Sequence, residues 1–98
     1  MMFPKTKRKK DKKAIEQTRK PYSELSGKPT NGEDPHHYLV TVGAGGPDHP
    51  YNLIQLTWEE HTKAHAGNIS EHKLVKIVAE REGVSEKEII ETVYRLKS

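Results

Sequence analysis

The sequence predicts a small α+β protein: two short extended runs and a helix, then an αα-hairpin, behind a disordered basic arm. Three observations predict it. Five of the six histidines crowd between Asp34 and Gly67, a segment of two β-type runs and one helical run. The last third carries two helical apolar periods, each preceded by a serine able to cap it. The first twenty residues hold nine Lys or Arg and almost nothing apolar.

Residues 1–20 read as a mobile arm. "KTKRKKDKKAIEQTRK" repels itself and has too little apolar surface to offset the entropy of ordering. Residues 15–19 are expected to turn helical only on binding. Lys5, Lys7, Arg8, Lys9, Lys10, Lys12 and Lys13 are the candidate phosphate contacts, because each cation that neutralises a phosphate releases counterions. A solubilising tail is the plainer alternative.

The prolines and glycines of residues 21–33 predict a turn-rich linker. "HHYLVTV" and "YNLIQLT" suit extended structure, with the loop "GAGGPDHP" between them. Thr57 and Glu60 form a capping box at the head of a helix that ends near Gly67, so residues 34–67 read as one module. Over residues 68–98, Ser70 opens a helix to about Glu82, with Leu74, Ile77 and Val78 on one face, and Gly83 stops it. Ser85 and Glu88 open a second helix to about Leu96, with Ile89, Ile90, Val93 and Leu96 at helical spacing. This hairpin is expected to pack on the module as core, with a dimer or partner surface as the alternative.

Composition narrows the function. The chain is 32% apolar and 32% charged over 98 residues, so its core must be thin and a staple is expected. With no cysteine, disulfides and cysteine-based zinc fingers are excluded, and a metal remains as the candidate staple. No apolar run approaches the roughly 18 residues of a membrane span, and no apolar segment follows the charged N-terminus. A cytoplasmic protein with no membrane partner is expected. Nine basic against two acidic side chains give residues 1–20 a net +7. Eight basic against twelve acidic give the rest a net −4, so the basicity belongs to the arm.

The histidines carry the chemistry. His61 and His65 lie four apart on the helix, one above the other, as a two-pronged metal clamp. His36 and His37 are adjacent in an extended run and point to opposite sides, so only one of them easily joins the clamp as third ligand. The other is left beside the metal with a neutral imidazole, which is what a general base requires. Asn52 is polar in an apolar run and can hold that imidazole through its side-chain carbonyl; as a plain alternative it makes a turn. Asp48 and His49 lie in the loop, and His49 either touches substrate or is a solvated loop residue. His72 is expected on the surface of its helix.

His36-His37, then Asn52, then His61 and His65 resembles the His-Asn-His (HNH) nuclease motif, a ββα-metal fold found in many small phage proteins. Gly45-Gly46 and Asn52-Leu53 resemble it too. The intervals are 15 residues from His37 to Asn52, 9 to His61 and 4 to His65, similar to those of colicin-type DNases. The resemblance covers about 34 of the 98 residues and leaves out the arm and the hairpin. It implies that His36, His61 and His65 bind one divalent metal ion, that His37 is the general base, and that Asn52 orients it. Two features depart from the family. No CxxC pairs brace the fold, and Asp34 stands two residues before His36, able to supplement or replace a ligand.

The resemblance also implies the reaction: hydrolytic nicking of DNA, leaving 5′-phosphate and 3′-hydroxyl ends. Three imidazoles favour Zn, Ni, Co or Mn, whereas family members often use Mg²⁺, so the metal stays open. The basic arm would bring an acidic body to DNA. The alternative is a non-catalytic, metal-stabilised nucleic-acid-binding or adaptor module, an accessory subunit of a larger machine such as a phage packaging or recombination enzyme.

Overall fold

The adjacent histidines are split to opposite faces by strand register. In the computed structural model, which describes residues 11–97, β1 (His36–His37) pairs antiparallel with β2 (Leu53–Ile54). His36 stands opposite Ile54 and His37 opposite Leu53. Residues directly opposite in an antiparallel pair share a face. The His36 and Ile54 face meets the main core; the His37 and Leu53 face meets the N-terminal helix.

Four helices surround this two-stranded sheet: α1 (Lys12–Thr18), α2 (Trp58–His65), α3 (Glu71–Glu82) and α4 (Glu86–Leu96). Local chemistry sets their ends. Thr57 and Glu60 make the full reciprocal capping box on α2, and Ser85 accepts from the Glu88 amide to open α4. Gly83 stops α3 in the left-handed conformation, φ +70°. The main core gathers Tyr38, Leu39, Val40, Ile54 and Leu56 against Leu74, Val75 and Val78 of α3 and Ile89 and Val93 of α4. Ile90 and Leu96 of α4, expected on the apolar side, are 40% and 45% exposed.

The strands are shorter than expected because a side chain takes over their ladder. Tyr38 N–H still donates to the Asn52 carbonyl at 3.2 Å. Beyond it, the Leu39 and Val40 amides donate instead to the Asn52 side-chain oxygen, at 3.2 and 2.9 Å. The loop between then turns through short 3-10 segments at Val42–Ala44 and Pro50–Asn52. It closes so tightly at Gly46 that a Cβ there would collide with the Val40 carbonyl.

Two expectations about organisation need correction. The arm does not run to residue 20: Asp11 caps α1, and Ala14 and Ile15 pack on Leu53 in a second small core. Those two apolar residues and Thr18 share one buried face of the helix. Lys12 and Lys13 are exposed on it, while Lys5, Lys7, Arg8, Lys9 and Lys10 lie outside the described residues. Residues 21–33 are irregular, as their composition predicts, yet they are no linker. Buried Ser23 donates to Glu60 at 2.5 Å, and Glu24 joins Arg81 at 2.8 Å. Arg81 also reaches the carbonyls of Leu53 (3.1 Å) and Pro50 (2.5 Å), tying α3 to β2 and the loop. No helix among the described residues is long and apolar enough to cross a membrane.

Candidate metal centre

The capping box fixes the start of α2 and thereby the direction in which His61 and His65 project. Both rings meet His36 across the sheet face: ring centres lie 4.3 Å apart for His36 and His61, 5.1 Å for His36 and His65, and 4.6 Å within the helix pair. One ligand nitrogen from each of the three falls within 4.8 Å of the others. Bonds of about 2.0–2.1 Å to a tetrahedral ion put ligands roughly 3.4 Å apart, a distance that ring rotation can close. These three histidines can hold a metal ion.

The charge state favours it. His36 is buried, and burial, reinforced by His61, His65 and His37, pushes its pKa down to about 4. His61 is lowered too, by burial and then by His65. Imidazoles that resist protonation stay available as ligands near neutral pH.

Asp34 is not in this group. It is exposed and pairs with Arg19 at 2.6 Å, which draws its carboxylate away toward the end of α1.

His37 shares a cleft with the three ligands. The cleft, about 250 Å³, is lined by Pro35, His36, His37, the Thr41–Gly43 turn, His61 and His65. The Nε2 atom of His37 lies 2.7 Å from Oδ1 of Asp48, whose side chain is fully buried. The other Asp48 oxygen accepts the Asp11 backbone N–H at 2.9 Å. A carboxylate held this way fixes the orientation and tautomer of the ring it faces.

That role was expected of Asn52, and the geometry distributes it differently. The buried Asn52 carboxamide accepts from Leu39 and Val40 and donates to the carbonyls of Val40 (2.8 Å) and Pro47 (3.1 Å). All four bonds go to the loop backbone, so Asn52 acts on His37 at one remove, by holding the loop that carries Asp48. Asp48 is the residue that sequence reasoning missed. The sequence showed it only as a loop residue just after the glycine turn, 11 residues from His37.

The remaining histidines sit apart from the ligand group. His49 caps the Pro50–Asn52 turn by accepting from the Tyr51 amide and packs edge-on against the Tyr51 ring. His72 is exposed and paired with Glu86 at 2.7 Å.

Comparison with known proteins adds one short match. Over 29 residues, 30% of this chain, the sequence is 52% identical to an "Uncharacterized 38.5 kDa protein in psbA intron 1" of Chlamydomonas moewusii. The matched stretch is 8% of that protein's length, so the chain spans less than a tenth of its relative. No protein-family model matches the chain. No solved structure matches it.

Proposed function

We propose that the chain is a metal-dependent endonuclease that hydrolyses DNA phosphodiester bonds, with the ββα-metal organisation of His-Asn-His enzymes. The observation that carries this reading is the shared cleft: three imidazoles able to hold one ion, and a fourth, His37, steadied by a buried carboxylate and lining the same volume. A purely structural ion is closed by four protein ligands; here three histidines group and the fourth, His37, is held by Asp48 outside that group.

His37 takes a proton from a water molecule as the water oxygen attacks phosphorus in line. Asp48 keeps the imidazole oriented while it gains positive charge. A divalent ion held by His36, His61 and His65 would neutralise charge on the phosphate and on the departing 3′-oxygen. The 3′-oxygen leaves opposite the attacking oxygen and is protonated from solvent, giving a 3′-hydroxyl and a 5′-phosphate. Asn52 keeps the loop closed beneath Asp48. One such cleft cuts one strand, so the primary product is a nick.

The test is plasmid nicking with Zn²⁺, Ni²⁺, Co²⁺, Mn²⁺ and Mg²⁺, on wild type and His37→Ala together. Wild type is expected to convert supercoiled plasmid to the open circle, and His37→Ala to bind metal equally well without cutting. Equal cutting by both would remove His37 as base. No cutting by wild type with any of the ions would turn the reading to a metal-stabilised DNA-binding adaptor that acts within a larger phage packaging or recombination machine.

A further inference from the structure

Trp58, the only tryptophan, is 66% exposed at the first turn of α2, in a chain short of apolar side chains for its core. It is nonetheless held in place. Its indole stacks on the imidazole of His61 with the ring planes 9° apart and the centres at 5.3 Å. Its backbone is fixed by the capping box at Thr57 and by Thr62, whose hydroxyl donates to the Trp58 carbonyl at 3.0 Å. One face of the indole is therefore covered by a metal-site histidine, while the side chain as a whole remains largely open to solvent.

We propose that Trp58 is a stacking platform for an unpaired nucleobase beside the cleft that holds His36, His61 and His65. The proposal rests on the nuclease reading of that cleft. A nucleobase is the occupant the surroundings favour. The exposed neighbours of Trp58 along α2 are Glu59, Thr62 and Lys63, with Glu59 and Lys63 paired at 3.4 Å, so the indole stands as a lone ring in a polar surface. A protein partner wants a contiguous apolar patch, whereas a base needs only one flat face. Bases inside a duplex already have both faces covered. The platform therefore selects single strands, frayed ends or an extruded base, placed one stacked ring away from the metal ligands.

The experiment uses the full chain without divalent metal, so that nothing is cut. A short single-stranded DNA, the same sequence as a duplex, and an abasic oligomer of equal length are titrated while Trp58 emission is recorded. The single strand is expected to quench the emission saturably and to bind several-fold tighter than the abasic oligomer, which carries the same phosphates. With affinity read from the anisotropy of a labelled oligomer, Trp58→Ala should lose about tenfold for the single strand and nothing for the abasic oligomer, and Trp58→Phe should retain most of it. Equal affinity for both oligomers with unchanged emission overturns the proposal and leaves the indole to a protein partner. Nicking activity is read separately. Plasmid nicking without quenching removes the platform alone, whereas quenching without nicking removes the hydrolytic reading and leaves base stacking intact.

Discussion

Asp48 and Asn52 divide between them the work of placing His37, and the two substitutions should fail differently. Asp48 touches the ring. Asp48→Asn is expected to lower turnover about 10–100-fold while DNA affinity and metal affinity stay near wild type, measured as kcat and KM in the nicking assay. Asn52 touches only backbone, through four hydrogen bonds. Asn52→Ala leaves buried amides and carbonyls without partners and should cost about 3 kcal/mol or more of stability, read as a lower denaturation midpoint. A stable Asn52→Ala protein with a selectively inactive site would restore the direct contact expected from sequence. His36 gives the pH dependence of the metal-free protein. Unfolded, it accepts a proton near pH 6.5; folded, it resists until about pH 4. Between those values the unfolded chain binds the extra proton, so stability falls as pH drops through the window and returns as pH rises. Thermal melts across that range should show the loss in wild type and a flatter profile in His36→Gln.

Helix α2 is the element through which metal binding should become folding energy, because it supplies two of the three ligands and is only eight residues long. Saturating Zn²⁺ or Ni²⁺ should raise the Tm of wild type, and His61→Ala or His65→Ala should lose most of that rise. An equal rise in all three proteins would place the ion elsewhere. The helices were legible in the sequence because their ends are local events: Thr57 with Glu60, Ser85 with Glu88, and Gly83 each act within a few residues. Strand length was not legible, since the ladder ends where Asn52 takes the amides of residues 12 and 13 positions away. Helix α1 was hidden by its own charge: Lys12, Lys13, Arg19 and Lys20, within and beside it, suggest repulsion, while only Ala14 and Ile15 reveal a face for Leu53. Spacing paired His61 with His65, while the choice of His36 over His37 as the third came from the resemblance. The partner of His37 could not be read, because a loop aspartate gives no sign of being buried until the loop is closed.

At the scale of the whole molecule, the two ends of the basic segment should separate experimentally. Deleting residues 1–10 should weaken DNA binding and flatten its salt dependence, each lost phosphate contact removing about 0.9 from the log–log slope, while nicking at saturating protein survives. Deleting residues 1–20 also removes the Leu53 packing and the Asp11 amide that holds Asp48, so it should lower both Tm and turnover. If the two truncations behave alike, α1 is dispensable. Arg81 has a different reach. By gripping Glu24 and the carbonyls of Leu53 and Pro50, one guanidinium ties α3 to the irregular segment and to the turn before β2. A guanidinium cannot be oxidised by peroxide or stripped by a chelator. Diamide should therefore leave this brace intact, and the destabilisation caused by EDTA should be limited to what the ion at His36, His61 and His65 contributes.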